Sequence, residues 1–398
     1  MKEKLAIEGG TPVRTAPFPA WPVHDEREVE AVTRVARSGK WGELTGNEVR
    51  QFEKEFTAFI GVKHGVCVVN GTAALEIAMR ALGIGPGDEV ITTPYTFVAT
   101  PNAALLVGAT PVFVDIDPDT YLLDPSKIEE AITERTRAIM PVHYAGCPCD
   151  MDAIMEIAER HGLIVVEDAC QAWGAQWNGR SVGAIGNAGA FSFQASKNIT
   201  AGEGGMVVTN DDALEEHIWS LHNCGRRRGG EWYEHVRVGW NLRMTEWQGA
   251  ILRVQLSRLS EHMAVRERNA RYLAAELSKL KGIRPLAVDP RVTRHAWHVF
   301  VLRYQTEAFG GLPRGEFVKA LVAEGIPVGL GYLPLTRSRA IIDGLKQIGQ
   351  GAPRACPVAE RACDEEAVNL NQNVLLGTQQ DMDDIVTAIA KVQRVKGT

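Results

Sequence analysis

Four consecutive apolar residues, Leu163-Ile164-Val165-Val166, stop abruptly at Glu167 and Asp168. A short unbroken apolar run reads as a strand covered on both faces, because a strand with one wet face alternates apolar and polar residues. Segments 66–69, Glu89–Thr92, 110–114 and 136–140 read as further short strands. Helical spacing recurs around them at Glu26–Ser38, Glu48–Ile60, 73–82, 126–132 and Met151–His161. In the second of these helices Val49, Phe52, Phe56 and Ile60 share one face. Strands alternating with helices predict an α/β fold, a mostly parallel sheet with helices on both sides.

Ligands of open α/β sheets sit at the carboxyl ends of the strands, which places Asp168 in a site. The stretch FSFQASKNITAGEGG, residues 191–205, then holds Lys197 between an alternating Phe191-Ser192-Phe193 and a glycine turn at Gly202, Gly204 and Gly205. Met206-Val207-Val208-Thr209 reads as the next strand. A lysine confined there is partly desolvated, loses its proton more readily and can attack a carbonyl to form a Schiff base. A strand-end carboxylate plus such a lysine is the pair pyridoxal phosphate requires: the lysine takes the aldehyde and the aspartate keeps the ring nitrogen protonated. Upstream, Asn70-Gly71-Thr72 opens the helix at 73–82. Free amides at a helix start favour an anion, and the same residues would also serve an ordinary capped helix. Together with Lys197 and Asp168, a phosphate is the favoured occupant.

The 398 residues suit a large domain and a smaller one, and 45% apolar with 23% charged residues is ordinary for a globular chain. A net charge of −6 without a long basic tract argues against nucleic acid as a partner. No apolar run reaches the ~18 residues of a membrane span, and MKEKLAIEGGTPVR lacks a signal-peptide core, so a cytoplasmic protein is expected. Seven scattered cysteines do not form a disulfide framework. Cys147 and Cys149, shortly after His143, lack an evident fourth ligand and a common zinc spacing, so no metal is expected.

Residues 1–20 read as an extended arm. Helices are expected at 213–222, 246–263 and 265–280, with a long Gly- and Arg-rich surface loop at 223–243. The remainder alternates strand 298–304, helix 314–324, strand 328–330 and helix 382–391. The expected division is an arm at 1–20, a large cofactor-binding domain at 21–255 and a small C-terminal α/β domain at 256–398.

FSFQASK, then AGEGG, with VEDACQAWGA upstream and NLRMTEWQ downstream, resembles the DegT/DnrJ/EryC1/StrS aminotransferases from about Phe18 onward. That resemblance implies a fold-type-I pyridoxal-phosphate-dependent transferase with a seven-stranded sheet, acting in amino sugar or aminocyclitol biosynthesis. It implies that Lys197 carries the cofactor and moves the proton, that Asp168 partners the ring nitrogen, and that Gly71, Thr72 and Ser192 take the phosphate. It further implies that Phe97 stacks on the ring and that Gln171 contacts the ring or its hydroxyl. It also implies a homodimer whose 223–243 loops reach into the partner's site, with Asn241 contacting the partner's phosphate group. Retention of Lys197 is unlike the dehydratase branch, where histidine stands there. A non-catalytic cofactor-binding regulator is the reading of another class, and the intact Lys197–Asp168 pair speaks against it.

For the substrate, Gln194 departs from the histidine commoner in sugar-nucleotide aminotransferases and resembles the cyclitol aminotransferases and amino-hydroxybenzoate synthases. Trp173 is expected to add bulk near the cofactor. Tyr332 in GYLPL matches an aromatic near the substrate of relatives, although Thr336 replaces a frequent histidine. Arg226, with Arg227 and Arg228, suits a diphosphate and so a nucleotide-linked ketosugar, the alternative substrate. The favoured expectation is transfer from glutamine or glutamate to a keto-cyclitol such as scyllo-inosose.

Overall fold

The computed structural model describes residues 3–397. Seven strands form the large sheet: β1 His64–Val68, β2 Glu89–Thr92, β3 Thr110–Phe113, β4 Thr136–Ile139, β5 Ile164–Asp168, β6 Ala188–Ser192 and β7 Gly205–Thr209. Their order is β1-β7-β6-β5-β4-β2-β3. The pairs from β6 through β5, β4 and β2 to β3 are all parallel. Strand β7 runs antiparallel to both its neighbours, β1 and β6. Small residues on one side of β6, Ala188 and Ala190, pack with Val166 and Val207 beneath the helix Gly71–Ala81. On the other side Phe191 meets Phe56 of the Glu48–Ile60 helix edge-on, ring centroids 5.0 Å apart.

The second sheet contains β8 Ile283–Pro285, β9 Val299–Tyr304, β10 Val328–Gly329 and β11 Ala367–Asn371, in the order β8-β9-β11-β10 and antiparallel throughout. Helices Arg314–Ala323 and Gln379–Lys396 cover it around Leu302, Tyr304, Phe317, Leu321 and Ile389. The N-terminal segment belongs to this core, with Leu5 fully buried and Val13 and Phe18 packed against it. Glu324, wholly buried, accepts the amides of Ala6 and Val13 and pairs with Lys391 at 2.8 Å. Arg14 pairs with Asp381 and Asp384 of the C-terminal helix.

Three helix expectations are corrected. Segment 126–132 is not an α-helix but two 3₁₀ turns, Pro125–Lys127 and Glu129–Ala131. Its buried residues, Ile128 and Ala131, are three apart, which matches the 3₁₀ period. The helices expected at 246–263 and 265–280 are one helix of 32 residues, Glu246–Leu277. No Gly or Pro interrupts it near Ala264, and Leu259, Met263, Arg266, Ala270 and Leu273 continue a single buried stripe. Residue 255, the expected end of the large domain, lies within it. The C-terminal helix is longer than expected, starting at a capping box between Thr378 and Asp381. No helix among the described residues is long and apolar enough to cross a membrane.

Candidate active site

A cavity of about 1170 Å³ opens between the carboxyl end of the large sheet and the edge of the second sheet. Asp168 ends β5 and is 5% exposed. Its carboxylate accepts the Thr100 hydroxyl at 2.7 Å on one oxygen and the Cys170 amide at 3.1 Å on the other. Thr100 is steadied in turn by Thr96, 2.9 Å away. The carboxylate is thus fixed in direction by neutral donors and left open on the cavity side.

Lys197 follows β6 in a tight turn, its amide bonded to the Gln194 carbonyl. Burial pushes its ammonium below the ordinary lysine range, opposed by the nearby Cys170 and Asp168. Its Nζ forms no hydrogen bond or ion pair among the described residues and stands 5.9 Å from the centre of the Trp173 ring. Trp173 does not narrow the cavity as expected. It is fully buried, does not line the cavity, and its indole N–H donates to the Ser192 carbonyl at 3.0 Å. The cause is the flanking apolar core, which the indole ring joins edge-on to His298.

At the other end Asn70 caps the helix Gly71–Ala81 by accepting the Ala73 amide at 2.8 Å. The Gly71 and Thr72 amides keep no acceptor within the described residues. Gly205 of β7 passes so near that a β-carbon there would stand 2.3 Å from the Asn70 carbonyl oxygen. A β-carbon on Gly71 would likewise meet Ser192 Cβ at 2.7 Å. These two glycines let backbone amides and the Ser192 hydroxyl converge on one small space. Phe97, 57% exposed, lines the same cavity. A flat ring on Phe97, an anion on the helix start and a ring nitrogen at Asp168 are therefore all accommodated, and the residues present fit pyridoxal phosphate.

Gln171 and Tyr332 also line the cavity. Gln171 Oε1 accepts the Ala145 amide and its Nε2 donates to the Tyr332 hydroxyl, both at 2.9 Å. Burial holds the Tyr332 hydroxyl well above the usual tyrosine range, so it stays protonated. Gln194 lines the wall too, its Oε1 accepting both the amide and the hydroxyl of Ser196. Its Nε2 remains available as a donor. Arg226 and Asn241 belong to the 223–243 loop and do not line this chain's own cavity. Arg226 stacks on Trp232 at 4.3 Å and bonds Asn223. Asn241 is exposed and bridged to Asn223. Thr100 and His298 are cavity residues that the sequence reading missed. Burial lowers the His298 imidazole well below its ordinary range, so it is a neutral group. Cys147 and Cys149 are buried, and His143 is bonded to Glu167 at 3.0 Å. No cluster of three or more His, Cys, Asp or Glu among the described residues is placed to hold a metal.

A doubly covered, mostly parallel sheet with this lysine, aspartate and anion cradle defines a fold-type-I pyridoxal-phosphate-dependent aminotransferase. The chain belongs to the DegT/DnrJ/EryC1/StrS aminotransferase family, whose model matches residues 22–390. It is 41% identical, over 99% of both chains, to a Streptoalloteichus tenebrarius protein provisionally named L-glutamine:3-amino-2,3-dideoxy-scyllo-inosose aminotransferase. It is 39% identical to the L-glutamine:2-deoxy-scyllo-inosose aminotransferase of the same organism, over 100% of this chain and 99% of that one. The crystal structure of 3-amino-5-hydroxybenzoic acid synthase superposes with a TM-score of 0.88 at 36% identity, covering 95% of this chain and 99% of that one.

Proposed function

We propose that this aminotransferase moves an amino group from glutamine or glutamate to the ketone of a cyclic polyol, a keto-cyclitol of the scyllo-inosose kind. One observation carries this reading over a nucleotide-linked ketosugar. The charged side chains lining the cavity are Asp168, Lys197 and Glu203, and the rest of its polar lining is neutral. A diphosphate would need cations, and the arginine run of the loop assigned to the partner's site is engaged within its own chain, Arg226 with Trp232 and Asn223, Arg227 with Glu234 and Arg228 with Glu215. A ring of hydroxyls instead suits carboxamides and phenols, which donate and accept. Relatives named for scyllo-inosose substrates support the same choice.

Pyridoxal phosphate, when bound, supplies an electron sink for the carbon that loses its proton. Asp168 holds a proton at the pyridine nitrogen, and Thr100 and the Cys170 amide keep its carboxylate aimed there. Lys197, its ammonium disfavoured by burial, works as a free amine that takes the proton from the amine-bearing carbon of the donor and returns one to the acceptor. Gly71, Thr72 and Ser192 receive the phosphate, Phe97 supports the ring, and Gln171 and Tyr332 fix its outer edge and the substrate. The Gly71 and Thr72 amides keep no acceptor among the described residues, and we read Asn241 of a second subunit as joining them at the phosphate in a homodimer, as the resemblance to the family implies. We further read the protein as cytoplasmic, with an arm at 1–20, a large domain at 21–255 and a small domain at 256–398.

The test is to load the enzyme in its pyridoxamine form and compare kcat/KM for scyllo-inosose and a nucleotide-linked 4-ketosugar. Preference for the cyclitol is expected; preference for the nucleotide sugar would overturn the reading.

A further inference from the structure

The sequence Val368-Asn369-Leu370-Asn371 alternates, and β11 gives that alternation a meaning. Residues two apart on a strand share a face. Val368 and Leu370 are fully buried in the second core, while Asn369 and Asn371 both line the catalytic cavity. Backbone pairing with Val301 and Gly329 on either side holds Asn369 in the middle of its sheet.

The Asn369 carboxamide is only half used. Its Nδ2 stands 3.5 Å from the Tyr144 hydroxyl, the outer limit of a hydrogen bond, and its Oδ1 is buried without a partner. Turning the amide over would pair Oδ1 with the Tyr144 hydroxyl and leave Nδ2 alone, so one end is unmatched in either orientation. A buried unpaired amide end is costly to leave unmade, and it persists in a wall where a ligand group can complete it. Asn371 stands one pleat further along the same face, exposed at its mouth.

We infer that Asn369 and Asn371 read ring hydroxyls of the amino acceptor and so set its specificity. This rests on the cyclic-polyol reading above. Two amides about 7 Å apart along one strand suit separate hydroxyls across a ring, each able to donate and accept, better than a single charged group. An amino acid donor has no ring hydroxyls, so the pair should matter to one half of the cycle.

The experiment measures the two half-reactions separately in wild type, Asn369→Ala and Asn371→Ala. For both variants kcat/KM toward scyllo-inosose should fall about ten- to a hundredfold. Their rate with glutamine should stay within about twofold of wild type, a result that also reports intact folding. Acceptors lacking one hydroxyl at a time then complete a cycle between enzyme and substrate. One deoxy-acceptor should lose as much with wild type as the alanine variant loses with the full substrate, and lose little more with the variant. Equal losses in both half-reactions, or no loss with the acceptor, would overturn the inference while leaving the keto-cyclitol assignment standing. Failure of the wild type to aminate any keto-cyclitol would overturn the assignment itself, and the inference with it.

Discussion

Lys197 and Asp168 answer to opposite pressures within one cavity. Burial disfavours the lysine's charge, and the aspartate's anion partly restores it. Lys197→Ala should abolish both turnover and the visible absorbance of bound cofactor, as read by spectrophotometry and a coupled assay. In Asp168→Asn the chemical step should slow by about 10²-fold or more, measured as a single-turnover half-reaction. The same substitution removes an anion that raises the Lys197 pKa. In the cofactor-free protein, labelling of Lys197 by an amine-reactive probe should therefore reach its midpoint at a lower pH in Asp168→Asn than in wild type. A midpoint moving upward would show that the two groups do not couple as described. Both residues were legible in the sequence because strand end and glycine turn flank them closely. Thr100 and His298 were not, since their places depend on tertiary contacts: Thr100 reaches Asp168 from the helix that follows β2, two strands away, and His298 immediately precedes β9 of the second sheet. Trp173 was misjudged because adjacency in sequence does not say which way a side chain points off a turn.

Among the elements, the ones with strong periodicity and clear caps fell where the sequence placed them, as with Glu26–Ser38, whose Asp25–Glu28 box closes its first turn. Strand β11 was not among the expected elements; its polar residues, Asn369 and Asn371, line a cavity and its apolar ones a core, so neither face is plainly wet. Two contacts between elements yield tests. Gly205→Ala forces β7 away from the Asn70 carbonyl and should destabilise the fold by about 1–3 kcal/mol in urea denaturation, with weaker cofactor binding. Glu53 joins the Glu48–Ile60 helix to β1 by accepting the Cys67 amide at 2.8 Å. Burial pushes its carboxyl up to about 8. The folded state thus holds this proton more tightly than the unfolded one, and the stability it contributes declines as pH rises from the ordinary carboxylate range toward 8. Glu53→Gln keeps the acceptor and cannot ionise. Its melting temperature should match wild type near pH ~5 and exceed it near pH ~9; an unchanged difference across that window would sink the argument.

At the scale of the whole molecule, the open side of the phosphate cradle and the exposed Asn241 make a two-chain site testable by mixing. If the site is shared, Lys197→Ala and Asn241→Ala chains should each be impaired, while their heterodimer would contain one site with both defects and one with neither. Activity should partly return on subunit exchange; exchange without recovery would mean that each chain builds its own site.

The contacts of Leu5, Arg14 and Glu324 with the C-terminal helix also order events in time. The arm leaves the ribosome long before the helix Gln379–Lys396, yet each completes the other's packing. The seven-stranded sheet is wholly encoded before residue 210 and can assemble while synthesis continues. The second core must wait until the helix Gln379–Lys396 has been made, with Glu324 lacking Lys391 until then. The cavity wall that includes Tyr332 and Asn369 therefore closes after the wall built from the large sheet, where Gly71, Asp168 and Lys197 stand.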